Sequence, residues 1–392
     1  MIKRNFLDLL IGLTVSIIIF NFYHFTKELS LGQYSDWLIN YQGGFVRRGL
    51  IGEILFQIHS ILSIRLDLVI FITVSLLYIF FYKNFLKIIK TLDFGFLNLL
   101  IIFSPLSFVW PVMEEKASGR KDILYLFFLS LIALNLKKIN FYHQKYLIIL
   151  LSAVTVFSHT GFLFLIPSFL IIFLLCNSEK KVLIILKEIF FIILSLFIFL
   201  IILLNNTQVG PEQIKLICDS VSDFVRSDCT TIGYIATLGW SFELNLDLKK
   251  SLWMKDYYHL FFSLAFLICF LPLLIVFYFS KFSNFKKFNV LLFFCFFLMG
   301  TIPLYYVGVD YGRYLHLTYL SSIIIYAVAL QNKVIIFNLP KNDYFKKFTI
   351  KPFVLVFIIF LYGFTFTVPH CCNNNFKFNY KKLVLKINEK LN

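Results

Sequence analysis

The residues best suited to chemistry lie between positions 34 and 53, directly after the first apolar run of the chain. They include a carboxylate at Asp36 and two adjacent guanidinium groups at Arg47 and Arg48. A carboxylate can act as a general base or orient an acceptor hydroxyl group. Arginine binds phosphate through two parallel hydrogen bonds. The stretch therefore combines a candidate catalytic base with candidate anion-binding groups.

Ordinary structural uses of the same residues stay open. Asp36 is equally suited to cap a helix or to pair with Arg47 or Arg48. Gly43 and Gly44 permit a backbone to approach a ligand closely, although a plain turn is the more common use of such a pair.

Further polar residues stand at the edges of later apolar runs and are candidates for binding an anionic substrate: Arg120, Lys121, Asp122, His159, Asp310 and Arg313. Each has a structural alternative. Asp122 suits a helix N-cap, and His159 suits a hydrogen-bonded histidine at a helix break. Asp310 and Arg313 suit a local ion pair that closes a tight loop.

The composition requires a membrane environment for these groups. Of the 392 residues, 59% are hydrophobic and only 15% are charged, whereas soluble domains carry about 25% charged residues. The formal net charge is +16, but the lysines flank apolar runs, which is typical of topology signals and not of a nucleic-acid surface. The chain also lacks a P-loop, a GxGxxG segment and the usual metal-ligand spacings.

The sequence predicts an all-α bundle that crosses the membrane about eleven times. Apolar runs near the length needed to cross about 30 Å of hydrocarbon lie at 5–25, 67–86, 95–112, 121–137, 145–158, 160–177, 182–204, 257–279, 288–306, 314–331 and 351–369.

Lysine placement orients these spans. With the N-terminus inside, every loop assigned to the inside carries lysine, as the positive-inside rule expects. A single helix over 145–177 would reverse all later loops, so we predict two helices separated at Ser158–Gly161. The basic C-terminal tail, 371–392, falls outside and is the one exception.

The outside loops of this predicted topology hold the candidate chemistry. We expect one transmembrane domain over 1–370, with outside loops at 26–66, 113–122, 205–256 and 307–313. Apolar residues at helical spacing over 50–62 predict an amphipathic helix that lies in the membrane interface. Cys218 and Cys229 lie in the longest of these loops, and an outside compartment favours a disulfide between them.

This layout resembles the GT-C superfamily of membrane glycosyltransferases. In that family an acidic residue follows the first span, as Asp36 does, and interfacial helices continue the loop. Three further elements are similar in kind: Arg120-Lys121-Asp122 at the start of a span, the polar break Ser158–Gly161 before Pro167, and Arg313-Tyr314-Leu315 at the start of a late helix. One departure is Trp37, which stands where many members have a second acidic residue.

The resemblance implies inverting transfer from a polyprenyl-phosphate-linked sugar to a lipid or glycan acceptor, in the synthesis of a cell-surface polysaccharide or glycolipid. Asp36 would be catalytic, activating or orienting the acceptor hydroxyl group. The substrate and its phosphate would be bound by Arg47, Arg48, Arg120, Lys121, Asp122, His159, Asp310 and Arg313. No cofactor is required, although a divalent metal is compatible with the reaction.

The expected location is a bacterial inner membrane, with a cytoplasmic N-terminus and a periplasmic or extracellular active face. The expected partners are the lipid-linked sugar, the acceptor and membrane lipids. An O-antigen-type polysaccharide polymerase or ligase is the alternative, and it would place catalysis on residues such as Arg226 or His259. A lipid-linked sugar flippase or transporter is a second alternative, but such proteins show inverted repeats or charges near mid-membrane, and the chain shows neither pattern.

Overall fold

The computed structural model describes residues 4–29, 32–93, 95–205, 209–226, 228–254, 258–283, 290–337, 352–372 and 377–378. Most of the predicted basic tail, and the lysines between 338 and 351, lie outside the described residues. The α-helices, numbered in chain order, are α1 (Arg4–Lys27), α2 (Leu50–Leu62), α3 (Leu66–Ile89), α4 (Phe96–Ile102), α5 (Trp110–Met113), α6 (Asp122–Asn135), α7 (Phe141–Ser158), α8 (Pro167–Cys176), α9 (Val182–Leu204), α10 (Pro211–Ser220), α11 (Gly233–Ala236), α12 (Phe242–Met254), α13 (Tyr258–Phe279), α14 (Val290–Val307), α15 (Tyr311–Gln331) and α16 (Pro352–Phe364).

Short 3-10 turns and strands complete the described chain. The 3-10 turns are Ser35–Leu38, Glu115–Ala117, Leu136–Lys138, Thr160–Leu165, Ser222–Phe224 and Thr237–Gly239. Strand β1 (Ser280–Phe282) pairs antiparallel with β2 (Ile335–Phe337), and Lys281 lies opposite Ile336. Strand β3 (Phe366–Thr367) pairs antiparallel with β4 (Lys377–Phe378). The prediction of an all-α chain therefore holds for the bulk of the described residues and misses these two small ladders.

The chain is a mostly helical protein with membrane-spanning character. Within the described residues, five helices are long and apolar enough to cross a bilayer: α1, α3, α9, α13 and α15. Helices also lie at the other predicted spans, and most of them have fewer than 18 residues. The total of eleven membrane spans therefore remains a prediction.

Two predicted spans differ from the structure for local reasons. The run 95–112 is divided into α4 and α5, because Pro105 lacks an amide hydrogen and disfavours helical conformation at Ser104. The run 160–177 begins as a 3-10 turn and becomes α8 only at Pro167, which suits the first position of a helix. Between α7 and this turn, His159 adopts an extended conformation, and this separates the two helices that the sequence predicts.

The described residues form two compact units. The first, here called the Asp36 unit, comprises Val15–Leu86 and Glu115–Leu248. In it, Tyr125 stacks between Phe162 and Phe169, each at a centroid distance of 5.7 Å. An ion pair of 2.7 Å between Lys145 and the buried Glu188 joins α7 to α9. The amphipathic run 50–62 forms α2, whose inner face carries Ile51 and Leu55 and whose outer face exposes Ile54, Ile58 and Ile61.

The second unit, here called the Asp310 unit, comprises Met1–Thr14, Lys87–Glu114 and Lys249–Asn392. Helix α15 is buried along most of its length and is the central helix of this unit. The ring of His316 stacks on Trp110 at 4.5 Å, and its Nδ1 donates a hydrogen bond to the carbonyl of Leu106. Trp110 Nε1 in turn donates to the carbonyl of Val368, 2.8 Å away. These contacts tie the segment after α16 to the core of the unit.

Candidate functional site

The Asp36 carboxylate is held inside the protein on the 3-10 turn Ser35–Leu38, whose four residues are all buried. Its side chain is 3% exposed, and Oδ1 has no hydrogen-bond partner among the described residues. Next to it, Trp37 Nε1 donates to the carbonyl of Gly119 at 2.6 Å. Burial of an ionised carboxylate is costly unless its oxygens are fully paired. A stable fold would normally avoid this arrangement, which makes Asp36 a candidate functional residue.

Gly119 fixes the second segment of the site. Its backbone is left-handed, with φ of +75°, and a Cβ there would lie 2.1 Å from the ring of Phe22. The amide of Gly119 donates to the hydroxyl of Tyr78 at 3.1 Å. Together with the bond from Trp37, these contacts clamp the backbone directly before Lys121. Only glycine fits this position without displacing the segment.

Lys121 is the ionic partner of Asp36. Its ammonium nitrogen lies 3.7 Å from Asp36 Oδ1 and donates a hydrogen bond of 2.7 Å to the carbonyl of Arg48. The side chain is fully shielded from solvent. Burial lowers the pKa of Lys121 to about 8, and the charge of Asp36 opposes that shift. Lys121 is thus a buried counter-charge that joins Asp36 to the Arg48 backbone. The sequence suggested Arg47 or Arg48 as the ionic partner of Asp36, whereas the structure shows Lys121 in that position.

The two adjacent arginines differ in their surroundings. Arg47 donates through Nη2 to the carbonyls of Thr237 and Leu238, each at 3.3 Å, and its pKa falls to about 10 because of burial and the neighbouring charge of Arg48. Arg48 has a left-handed backbone with φ of 71°. Its Nε, like that of Arg47, is buried and has no hydrogen-bond partner among the described residues. A left-handed conformation costs a residue with a Cβ about 1–2 kcal/mol, so Arg48 combines backbone strain with an unused donor.

The remaining candidates of this unit have structural contacts. Arg120 is buried, donates from Nε to the carbonyl of Lys116 at 3.1 Å and lies over the ring of Tyr234. Asp122 is the first residue of α6 and is buried. His159 stacks on Phe162 at 4.6 Å. The structure therefore brings Asp36, Lys121 and Arg48 together and places the other three in supporting positions.

The long loop 205–256 is braced against the first loop. Cys218 and Cys229 form a disulfide, with their Cα atoms 5.8 Å apart. The side-chain amide of Asn40 donates to the hydroxyl of Ser220 at 2.9 Å. A Cβ at Gly43 would lie 2.4 Å from the carbonyl oxygen of Gln213. The close approach at Gly43 is thus made by the backbone of α10.

A separate polar cluster lies in the Asp310 unit. Arg313 pairs with Asp310 at 3.2 Å, which is the local ion pair that the sequence offered as an alternative. His370 Nδ1 lies 3.0 Å from a carboxylate oxygen of Glu114, which is 1% exposed. The ligand atoms of Asp310, His370 and Cys371 all lie within 4.8 Å of one another. His370 and Cys371 were not among the residues that the sequence predicted, although the Pro-His-Cys-Cys segment at the end of the last apolar run was a visible signal.

The residues of the polymerase alternative are placed differently. Arg226 is exposed. His259 lines a cavity of about 580 Å³ together with Lys249 and Tyr305, between α13, α14 and α15. The ammonium group of Lys249 donates to the carbonyl of Tyr306 at 2.6 Å.

Comparisons with known proteins add no family to this description. The chain matches no protein-family model, no curated protein and no solved structure at a significant level. The fold and the two clusters therefore define a helical membrane protein with buried charged groups.

Proposed function

We propose that the chain is a membrane glycosyltransferase that uses a polyprenyl-phosphate-linked sugar as its donor. The observation that carries the proposal is the Asp36 carboxylate, which is buried, has no hydrogen-bond partner for its Oδ1 among the described residues and lies 3.7 Å from a buried ammonium group. Such a group is costly to the fold and suits a general base or a group that orients a hydroxyl.

In the proposed reaction, Asp36 accepts the proton of the acceptor hydroxyl as that oxygen attacks the anomeric carbon of the sugar. The bond from this carbon to the phosphate oxygen breaks, and the polyprenyl phosphate leaves with the electron pair. The guanidinium group of Arg48 stabilises the negative charge that develops on the phosphate. Lys121 holds the Asp36 carboxylate and the Arg48 backbone in one arrangement through its two contacts.

The proposal includes the finer predictions about topology. The chain crosses a bacterial inner membrane eleven times, with its N-terminus in the cytoplasm and the Asp36 face outside. The apolar outer face of α2 lies in the membrane interface, which suits its exposed Ile54, Ile58 and Ile61. The product contributes to a cell-surface polysaccharide or glycolipid. A divalent metal is a compatible cofactor of this proposed enzyme, and its candidate ligands are Asp310, His370 and Cys371.

The test is the Asp36→Asn variant, expressed in the native cells at the level of the wild type. Surface glycan is scored on gels, and lipid-linked intermediates are measured by mass spectrometry. We expect the glycan to be lost and a polyprenyl-monophosphate sugar to accumulate, because removal of a general base typically costs about 10²–10⁴ in rate.

Asp67→Asn is the matched control. Asp67 lies in the first turn of α3 and pairs at 3.1 Å with the exposed Arg65, so its variant should keep normal glycan. Normal glycan in the Asp36→Asn cells would overturn the proposed role of Asp36. The polymerase alternative would then be tested at His259 and Arg226.

A further inference from the structure

The segment that follows α16 carries a set of metal-ligand side chains on a rigid backbone. The amides of Gly312 and Arg313 both donate to the carbonyl of His370, at 3.0 and 3.4 Å. The amide of Cys372 donates to the hydroxyl of Tyr258 at 3.2 Å, and that hydroxyl donates to the carbonyl of Val309 at 2.6 Å. These hydrogen bonds therefore hold two segments together before any ligand binds: residues 309–313 and residues 370–372.

Gly312 shows how closely the two segments approach. A Cβ at this position would lie 1.9 Å from the carbonyl oxygen of Pro369. The start of α15 is thus pressed against the segment that carries His370 and Cys371. Preorganised ligands lose little conformational freedom when an ion binds.

The three ligand atoms suit zinc in type and spacing. Carboxylate oxygen, imidazole nitrogen and thiolate sulfur are its usual protein ligands, at about 2.0–2.3 Å. Ligands at that distance from a tetrahedral centre are separated by about 3.3–3.8 Å, by the geometry of a tetrahedron. The ligand atoms of Asp310, His370 and Cys371 lie within 4.8 Å of one another, which is close to this separation.

Groups behind the ligands support the same interpretation. Glu114 engages Nδ1 of His370, which leaves Nε2 as the metal-binding nitrogen. A carboxylate behind a ligand histidine is the usual second layer of a zinc site. Arg313 pairs with Asp310 through Oδ2 at 3.2 Å, so a positive charge lies next to this carboxylate. With Cys371 as a thiolate, Glu114, Asp310 and Cys371 exceed the charge of Arg313 by two negative charges, which a divalent cation neutralises.

The sulfur of Cys371 is also joined to that of its neighbour. Cys371 and Cys372 form a disulfide in this structure, and a disulfide sulfur is not a zinc ligand, because zinc binds the thiolate. We propose that Asp310, His370 and Cys371 form a zinc site that opens when the Cys371–Cys372 disulfide is reduced. A dithiol reductant gives two electrons and two protons to the Cys371–Cys372 disulfide. The reductant becomes a disulfide, and Cys371 and Cys372 become thiols. Zinc then binds Cys371 with release of its thiol proton.

Zinc binding by the purified full chain in detergent tests this site. The bound metal is measured by elemental analysis after incubation with zinc and desalting, with and without prior reduction by a phosphine. We expect about one zinc ion to be retained per reduced chain and none at this site in the oxidised chain. Cobalt substitution of the reduced protein should produce a sulfur-to-metal charge-transfer absorption band.

Two single variants separate this proposal from general thiol binding. Cys372→Ser leaves Cys371 without a disulfide partner, so zinc binding should no longer depend on reductant. Cys371→Ser should lose the reductant-dependent zinc ion and the cobalt band. Glu114→Gln should lower zinc affinity about 10- to 100-fold, as for other residues behind a metal ligand. Cys218→Ser with Cys229→Ser removes the other reducible pair and should leave zinc binding unchanged.

Two outcomes would overturn the zinc site. One is a reduced, monodisperse wild-type protein that retains no zinc. The other is reductant-dependent binding that survives Cys371→Ser. Neither measurement involves glycosyl transfer, so failure of the zinc site and failure of the proposed enzyme activity are distinguishable.

Discussion

The ammonium group of Lys121 lies 3.7 Å from the carboxylate of Asp36, and both side chains are shielded from solvent. The same ammonium group donates to the carbonyl of Arg48. One buried positive charge therefore connects the only carboxylate of the 3-10 turn Ser35–Leu38 to the strained arginine of the first loop. The stability and the activity of the protein should therefore depend on this contact.

We expect Lys121→Met to destabilise the protein at pH 7 by about 1–3 kcal/mol, because it leaves the carbonyl of Arg48 without its hydrogen-bond donor and the Asp36 charge without its partner. The double variant Asp36→Asn, Lys121→Met removes both charges and should recover much of that loss while remaining inactive. Thermal unfolding in detergent measures both effects. The pair between the exposed Arg65 and Asp67 is the control, and its double variant should unfold at the wild-type temperature. A Lys121→Met protein as stable as the wild type would show that the pair is not a buried ionic contact.

The stability of the protein should also depend on pH through Lys121. The pKa of Lys121 is about 8 in the folded chain, whereas its ordinary value is 10.5. Between pH 8 and pH 10.5 the unfolded chain therefore keeps a proton that the folded chain has released. The free energy of unfolding therefore rises as pH increases from about 8 to 10.5, by about 3 kcal/mol at most. Melting temperatures of the wild type between pH 7 and 9.5 should rise relative to those of Lys121→Met. A constant difference between the two proteins would contradict the lowered pKa.

Less of this site than of the fold could be predicted from the sequence. Composition and lysine placement predicted a helical membrane protein, and helical spacing predicted α2 with the bounds that the structure has. The partner of Asp36 could not be predicted from the sequence, because Lys121 lies on a distant segment that is held next to Asp36 by tertiary contacts such as the hydrogen bond from Trp37 to Gly119. The hydropathy of the run 95–112 did not indicate that proline divides it. The His370 cluster depends on contacts between α15 and the segment after α16, which are distant in the sequence.

Gly119 should tolerate no larger residue. Alanine there combines a left-handed backbone with a contact of 2.1 Å to the ring of Phe22, and these effects cost about 1–2 and 1–3 kcal/mol respectively. Gly119→Ala should therefore lower the melting temperature and the glycan yield together, since it displaces Lys121. Gly12→Ala is the matched control, because no atom lies within 4 Å of a Cβ at that position. Its melting temperature should equal or slightly exceed that of the wild type. Equal behaviour of the two alanine variants would contradict the clamp at Gly119.

The Cys218–Cys229 disulfide should stabilise the loop that packs on residues 40–44. We expect the double serine variant to lose about 2–4 kcal/mol, the usual contribution of a disulfide. Peptide mapping of the alkylated wild type should recover Cys218 and Cys229 as one cross-linked peptide pair. Cys295→Ser removes an exposed free thiol and should unfold at the wild-type temperature. Alkylation of both Cys218 and Cys229 in unreduced protein would contradict the bond.

Arg48 offers a variant in which stability and activity should change in opposite directions. Its φ of 71° is accessible to glycine without strain. Arg48→Gly should therefore relieve about 1–2 kcal/mol of backbone strain, partly offset by the extra flexibility of glycine in the unfolded chain, while it removes the proposed phosphate-binding guanidinium. We expect an equal or higher melting temperature together with loss of surface glycan.

Arg47→Gly is the comparison for this prediction. Arg47 is held by the carbonyls of Thr237 and Leu238, and its φ is not in the left-handed region, so its replacement should lower stability. If Arg48→Gly is as active as the wild type, the strain at Arg48 serves the fold and not the phosphate. Backbone strain is retained at functional sites when the surrounding structure enforces it, and here the hydrogen bond from Lys121 to the Arg48 carbonyl provides that constraint. A strained arginine that is dispensable for activity would leave this constraint without a functional reason.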